Sequence, residues 1–395
     1  MRGRTAAGGR RWVGVGNSGD ADTRRATTAA VRDALAGPDP KLLIVFGAIT
    51  RDPATVLSAA REAAPGVPVI GCSTHGEIGP GGPWDGSVLV SAIGGPGFRV
   101  DTPVAEHVSG RQRDAGAELA ACASTPVEGH PHQVLMLLTD GLVRDQESIL
   151  RGAYGVLGAR TPLFGGAAAD GWRMSGVYLL AGDRVLSDAA VAVRLASDAP
   201  IGLSVRHGWC KVGEPMIVTS AGNGRVYTLD DRPALDVYLD RLGAPAEAYV
   251  DPTAFRDFAL PRPLGVQRRS GVEARNLSTE IDLDGRSIGG GSAIDHGGLT
   301  WAMTGDVDSI LAATDAACSD AIDGLDGHPP LGMLTLSCAA LRAVLGDDGI
   351  RREGERLAKW AGDVPFAGFY TYGEIARIRG IDGFHNQTLT VLALA

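Results

Sequence analysis

The sequence predicts an α/β fold in which mixed sheets are covered by helices. Three observations support this: a strand–helix–strand unit that occurs three times, a strand-rich middle, and an ordinary globular composition. Apolar residues make up 44 % of the chain and charged residues 21 %, which is typical of soluble globular proteins. At 395 residues the chain is long for one domain. We therefore predict two parts, 12–230 and 231–395.

Each repeated unit consists of a short apolar run, a helical segment, and a second apolar run that begins with proline. Short runs without polar alternation are typical of strands buried on both faces, and proline is tolerated at the first residue of a strand. An alanine-rich amphipathic helix precedes each unit. The predicted first strands are Leu42–Phe46, Val134–Leu138 and Leu331–Leu336, the second strands begin at Pro68, Pro162 and Pro365, and the preceding helices are Thr23–Leu35, Arg111–Cys122 and Val307–Ile322.

Between the units the pattern changes to short strands separated by turns, which indicates antiparallel hairpins. The chain ends on a further strand, Gln387–Leu394. We expect this last strand to pair within a central sheet and so to tie the two parts together. The predicted middle strands are Val88–Ile93, Phe98–Thr102, Val177–Leu180, Ala189–Leu195, Leu203–Trp209, Met216–Ser220 and Arg225–Thr228.

Composition also excludes some classes of function. The net charge of −9 argues against nucleic acid as a partner, because phosphate binding needs a basic face. The sequence has no apolar run long enough for a membrane helix. Its five cysteines are widely spaced and form no Cys-x-x-Cys pair, so neither zinc nor disulfides are expected. We expect a cytoplasmic protein with reduced thiols and no membrane insertion.

One sequence motif, which we call the repeated phrase, occurs twice, at Pro68–Ile78 and Pro365–Ile375. It consists of proline, two apolar residues, glycine, four residues and then Gly-Glu-Ile. Further short motifs accompany it, namely Val13–Ser18, Pro162–Ala167, Leu336–Arg342 and His385–Thr388. Together these motifs resemble the FIST domain pair of bacterial signal-transduction proteins, from about Trp12 to the end of the chain. The resemblance implies a cytosolic sensory module that binds a small ligand, with amino acids among the proposed ligands. It would signal to a separate partner, such as a kinase or a cyclic-dinucleotide enzyme.

The candidate ligand site centres on Cys338 and Arg342. Cys338 follows a predicted strand and begins a helix, and Arg342 lies one helical turn later, on the same face. An arginine there could hold a carboxylate with two hydrogen bonds; a packed cysteine and a surface arginine is the alternative. The other candidates are carboxylates, aromatic residues and an amide near the repeated phrase: Glu77, Glu374, Tyr370, Tyr372 and Asn386. For Glu77 we favour a carboxylate that accepts backbone N–H groups in the turn.

Three other functions remain open. His385 or His75 could ligate haem, as the resemblance to haem-binding nitric-oxide sensors implies. Cys338 and His385 could also form a nucleophile–base pair in a cysteine-dependent enzyme. The spacing Gly14-x-Gly16-x-x-Gly19 matches a dinucleotide fingerprint, but no acidic residue ends the next strand, as that fingerprint requires. We favour binding over catalysis and expect no cofactor or metal.

Overall fold

The computed structural model describes residues 10–222, 224–268, 271–277, 280–289, 294–378 and 383–395. Its first 206 residues contain four helices and fourteen strands within the described part. The helices are α1 Thr23–Ala34, α2 Pro53–Ala63, α3 Gln112–Ala120 and α4 Gln146–Leu157. The strands are β1 Trp12–Ser18, β2 Pro40–Ala48, β3 Val69–Thr74, β4 Glu77–Gly79, β5 Gly82–Trp84, β6 Val88–Gly94, β7 Phe98–Asp101, β8 Val104–Glu106, β9 His132–Thr139, β10 Leu163–Ala167, β11 Leu179–Ala181, β12 Arg184–Leu186, β13 Ala189–Ser197 and β14 Ile201–Arg206.

The remaining residues add four further helices in the described part. These are α5 Ala234–Arg241, α6 Pro252–Ala259, α7 Val307–Asp323 and α8 Ala339–Ala361. The strands are β15 Cys210–Gly222, β16 Arg225–Leu229, β17 Arg232–Pro233, β18 Leu264–Arg268, β19 Gly271–Arg275, β20 Glu280–Asp282, β21 Ser287–Gly289, β22 Leu299–Thr304, β23 Gly332–Cys338, β24 Phe366–Thr371, β25 Glu374–Arg377, β26 Phe384–His385 and β27 Leu389–Leu394. Gly346, at φ 63°, divides α8 into two helical stretches.

The three predicted units are confirmed as β2–α2–β3, β9–α4–β10 and β23–α8–β24, each with its two strands paired in parallel. Each unit forms the centre of a separate sheet. Sheet I has the order β1-β6-β2-β3-β11-β12, sheet II the order β7-β13-β9-β10-β25-β26, and sheet III the order β14-β27-β23-β24-β4-β5. The three orders match position by position, so the molecule has pseudo-threefold symmetry.

The three sheets exchange strands in a ring. The strand that follows each unit leaves its own sheet and pairs antiparallel with the second strand of another unit. Thus β4, which follows β3, joins β24 in sheet III; β25, which follows β24, joins β10 in sheet II; and β11, which follows β10, joins β3 in sheet I. Five of the seven predicted middle strands complete these sheets, whereas Met216–Ser220 and Arg225–Thr228 belong to another sheet.

The inner faces of sheets I, II and III share one hydrophobic core. It contains Phe46, Leu138 and Leu336, one from the central strand of each unit, and the rings of Phe46 and Phe369 lie 4.9 Å apart across two sheets. Helices cover the outer faces, with α1 and α2 on sheet I, α3 and α4 on sheet II, and α7 and α8 on sheet III. Burial of both faces explains why the central strands are continuous apolar runs.

A fourth sheet, of order β19-β18-β22-β15-β16-β21-β20, lies between the second and third units in sequence. It packs against α5 and α6 around its own core, which includes Tyr238 and Phe255. The last strand, β27, pairs with both β23 and β14, which confirms the expected tie between the two parts. The division at 230/231 stays a prediction, since sheets II and III take strands from both sides of it.

Two glycines of the dinucleotide-like spacing, Gly14 and Gly16, serve helix packing. A Cβ on Gly14 or Gly16 would lie 2.1 Å from the carbonyl oxygen of Ala34 or Ala30 in α1. Their spacing therefore allows β1 and α1 to approach closely, which accounts for the two glycines without a nucleotide.

Candidate functional site

The repeated phrase forms the corners at which the three units meet. In the first corner, the amide of His75 donates to the carbonyl oxygen of Tyr370 at 3.0 Å, and the amide of Tyr370 donates to Gly76 at 2.9 Å. The amide of Ala167 donates to Gly373 in the third unit's corner at 2.9 Å, and the amide of Ala169 donates to Ser73 at 3.0 Å. Each corner is thus held by the second strand of another unit, which is why the phrase recurs.

The glutamates of the phrase are fully buried, and each is bonded to the residue immediately before a later strand, β6 for Glu77 and β27 for Glu374. Glu77 accepts from the amide and hydroxyl of Ser87 at 3.2 and 2.6 Å, and Glu374 accepts from the amide and hydroxyl of Thr388 at 3.1 and 2.8 Å. Burial raises the pKa of Glu77 to about 7 and that of Glu374 to about 8. Asp140, directly after β9, likewise accepts from the amide of Asp188, the residue before β13, at 2.8 Å.

Arg342 also joins two units. Its guanidinium pairs with Asp85 at 2.7 Å, donates to the carbonyl oxygen of His75 at 2.6 Å and lies 5.1 Å above the ring of Tyr370. A Cβ on Gly76, at φ 110°, would lie 2.0 Å from Nη1 of Arg342. The glycine of the phrase therefore makes room for the arginine. Spacing along the helix predicted Arg342 beside Cys338, but Asp85 and the corner hold its charged end instead.

An aromatic cluster covers the junction of the corners. Trp172 stacks on Tyr372 with ring centroids 5.2 Å apart, and the ring of His75 lies 5.2 Å from that of Trp172. The hydroxyl of Tyr372 donates to Asp170 at 2.6 Å, and Asp170 also accepts from the amide of Ser175 at 2.8 Å. Trp172 is 42 % exposed and has φ 63°, an uncommon conformation for a bulky residue, so these contacts hold a constrained loop.

A cavity of about 700 Å³ lies beside this cluster. Its wall combines apolar surface with charges of both signs. Three of the candidates predicted from sequence, Cys338, Tyr372 and Asn386, line it, whereas Arg342, Tyr370, Glu374, Glu77 and the two histidines lie elsewhere in the described structure. The other lining residues are Gly141, Leu142, Val143, Arg144, Asp145, Gln146, Glu147, Arg151, Trp172, Met174, Gly224, Asn276, Ala339, Ala340, Thr371 and Phe384.

The surroundings of Cys338 favour its protonated thiol form. It is 4 % exposed, and burial raises its pKa well above the usual range, with the nearby Glu374 carboxyl raising it further. The thiol is in turn a hydrogen-bond partner of Glu374. The backbone amides of Gln387, Ala340 and Leu341 act in the opposite direction without reversing the shift. A thiolate nucleophile is disfavoured by this environment.

The histidines proposed for haem have other surroundings. Nε2 of His385 lies 2.9 Å from the carbonyl oxygen of Ala376, and the residue is buried. His75 packs against Trp172 and Tyr372, and burial, with Arg342 nearby, lowers its pKa to about 4. Neither histidine is among the residues that line the cavity. No group of three His, Cys, Asp or Glu in the described ranges is arranged to hold a metal ion.

Sequence reasoning missed the side of the cavity formed by the segment 141–147. This segment follows β9, one of the predicted buried strands, and includes Arg144, Gln146 and Glu147. Ligands in open α/β sheets bind beyond the carboxyl ends of such strands. That rule, applied to the second unit, marks these residues.

Two family models match the chain almost from end to end. The FIST N domain matches residues 41–232, and the FIST C domain matches residues 234–377. The chain belongs to the FIST family. FIST domains are sensory domains of signal transduction. Two uncharacterized proteins of Mycobacterium tuberculosis, from the strains CDC 1551 / Oshkosh and ATCC 25618 / H37Rv, are each 25 % identical to the chain over 397 residues, covering 96 % of it and 98 % of their own length.

The cavity of this FIST protein lies between its two domains. Residues 141–147, Trp172 and Met174 belong to the FIST N domain, while Cys338 and Thr371 belong to the FIST C domain. Small-molecule sites are frequent at such domain interfaces. In the described part of the chain, no helix is both long and apolar enough to cross a membrane.

Proposed function

We propose that the protein is a cytoplasmic sensor that binds a small polar metabolite, an amino acid in the most specific form of the proposal, in the cavity between its FIST domains. The main observation in support of the proposal is that the cavity lies between the two FIST domains. A ligand there contacts both domains, so its binding energy depends on their arrangement. The free thiols of all five cysteines suit a reducing compartment.

The charges on the wall support a zwitterionic ligand. Arg144 and Arg151 line the cavity together with Asp145 and Glu147, so both ends of an amino acid have a group of opposite sign within the same space. The apolar part of the wall, which includes Leu142 and Phe384, suits a side chain. The signal would pass to a separate protein such as a kinase or a cyclic-dinucleotide enzyme.

The test is a thermal-shift screen of the purified chain against the amino acids and related polar metabolites. A compound at about 100 times its Kd stabilises the folded protein by roughly 2.7 kcal/mol, which raises the Tm by a few degrees. Asn386→Asp places a negative charge on the cavity wall with almost no change in shape. This variant is expected to lose the shift for carboxylate ligands.

Arg342→Ala is the matched control, because Arg342 binds the corner and does not line the cavity. It is expected to keep the ligand shift even where its own Tm is lower. A shift lost in Arg342→Ala but kept in Asn386→Asp would locate the ligand at the arginine predicted from the sequence instead. A complete absence of shifts in the wild type would reject the small-ligand proposal.

A further inference from the structure

The second and third units each place an arginine at the same position after their first strand. In both units the glycine three residues after the proline of the second strand lies opposite the first strand, at Leu137 in the second unit and at Thr335 in the third. The seventh residue after each of these positions is an arginine, Arg144 or Arg342. The stretches that end on it also match in type, as Leu-Thr-Asp-Gly-Leu-Val-Arg and Leu-Ser-Cys-Ala-Ala-Leu-Arg. Arg144 is therefore the counterpart of Arg342.

The aspartate that binds Arg342 has a counterpart as well. Asp85 directly follows β5 in sheet III, and Asn386 directly follows β26 in sheet II. The last residue of each of these strands is paired with the glutamate of the repeated phrase, Glu77 or Glu374. The carboxylate of Asp85 accepts two hydrogen bonds from the guanidinium, at 2.8 and 2.7 Å. In sheet II a neutral amide stands where sheet III has this carboxylate.

The space around the two arginines differs in a way that opens the cavity. In sheet III, Gly76 leaves room for the guanidinium, whereas the equivalent Gly373 is covered by the ring of Phe384, 2.2 Å from a Cβ built on that glycine. Arg144 lies in the loop between β9 and α4 and not within a helix. Arg144, Asn386 and Phe384 all line the cavity. The cavity of sheet II thus lies where, in sheet III, an arginine and an aspartate of the protein bind each other.

We propose that Arg144 binds the carboxylate of the ligand, in the way that Arg342 binds the carboxylate of Asp85. An arginine holds a carboxylate through two parallel N–H groups, and the amide of Asn386 cannot supply the charge that Asp85 supplies. This rests on the proposed function, since it concerns the same cavity. It defines the ligand class more narrowly: a free carboxylic acid is accepted, whereas its neutral amide or ester is not.

The experiment measures Kd by calorimetry for the twenty L-amino acids on the wild-type chain at about pH 6, where the α-amino group stays protonated. Each amino acid that binds is then compared with its amide, which has the same side chain and amino group but no α-carboxylate. Loss of a charged hydrogen-bonded pair corresponds to a roughly tenfold to hundredfold weaker Kd, and we expect that loss for the amides. Equal binding of acids and amides would overturn the role of Arg144 and leave the sensor proposal standing. If no amino acid binds to the wild type, the proposed function fails and this inference fails with it.

Arg144→Gln removes the charge and is expected to bring the ratio of the Kd values for amide and acid close to one. Asn386→Asp introduces the carboxylate that Asp85 supplies in sheet III, so it should weaken binding of the acid and spare the amide. Arg151→Gln is the matched comparison, because Arg151 also lines the cavity but pairs with Glu147 at 3.3 Å; any change in Kd there should be the same for acid and amide. A ratio unchanged in folded Arg144→Gln, or one that falls to one in Arg151→Gln instead, would overturn the assignment. If Arg144→Gln does not fold, Asn386→Asp and the ligand series on the wild type still decide.

Discussion

Replacing Glu374 by glutamine is expected to make the stability of the protein less dependent on pH. Glu374 is fully buried, and its Oε2 accepts two hydrogen bonds from Thr388. Glutamine has almost the same shape and keeps an oxygen that can accept these bonds. The change therefore removes the ionisable proton while leaving the packing of the corner nearly intact.

The size of this pH dependence of the unfolding free energy follows from the pKa of Glu374, which burial raises from 4.5 to about 8 in the folded protein. The folded state holds the proton more tightly than the unfolded state, so its stability falls as the pH rises between these two values. Each pH unit in this window corresponds to about 1.4 kcal/mol, and the whole window to about 5 kcal/mol. Below the window the glutamate is neutral in both states and resembles glutamine.

The assay is urea unfolding of the wild type and Glu374→Gln, followed by circular dichroism, at several values from about pH 5 to about pH 8. The difference in unfolding free energy should shift in favour of the variant by about 1.4 kcal/mol per pH unit. Glu77 and Glu353, whose pKa values burial raises to about 7, are present in both proteins and cancel in the difference. A difference that stays constant with pH would refute the reasoning.

A surface glutamate provides the control. Glu118, on α3, pairs with Arg111 at 3.0 Å and its side chain is 51 % exposed. Exposed ion pairs contribute less than about 1 kcal/mol, so Glu118→Gln should differ from the wild type by no more than that across the same pH range.

Three further substitutions test the packing of the three-unit framework, each by its unfolding free energy. Phe369→Ala removes a fully buried ring from its contact with Phe46 in another sheet and should cost about 3 to 5 kcal/mol; a loss below 1 kcal/mol would show that the sheets do not share this core. Gly76→Ala puts a methyl group where Arg342 binds, at a positive φ, and should cost about 1 to 3 kcal/mol, whereas a neutral effect would mean that the arginine is not held there. Asp52→Ala removes the N-cap of α2 and should cost about 1 kcal/mol; no measurable loss would contradict the capping bond.

The three units could be predicted because each is encoded by one continuous stretch of sequence: an apolar run, a helical segment and a second apolar run. It could not predict the exchange of strands between sheets. The exchanged strands β4, β11 and β25 have only three or four residues each, and their partners lie far away in sequence. A short strand shows which face is apolar, but its pattern contains nothing about the sheet that it joins.

Prediction of the candidate site from the sequence was limited in the same way. Spacing correctly made Cys338 the start of a helix, and it is equally consistent with Arg342 binding a ligand or binding Asp85. The choice depends on the segment 77–85, which sheet exchange brings to sheet III. Arg144 was not recognised as the counterpart of Arg342, because the match appears only when the two units are aligned by the registers of their strands.

The exchange of strands also constrains how a ligand could produce a signal. Separating the two FIST domains as rigid bodies would break the pairing of β4 with β24 and of β25 with β10, together with the backbone bonds of the corners. That is a large cost for a ligand that fills one cavity, because a ligand shifts an equilibrium only by its differential affinity for the two states. Parts of the cavity wall that lie outside the three strand–helix–strand units include the loop with Trp172 and Met174, and Gly224 and Asn276 beside strands of the fourth sheet. A response confined to those elements leaves the three-unit framework intact, so they are where a ligand-dependent change in this protein is to be expected.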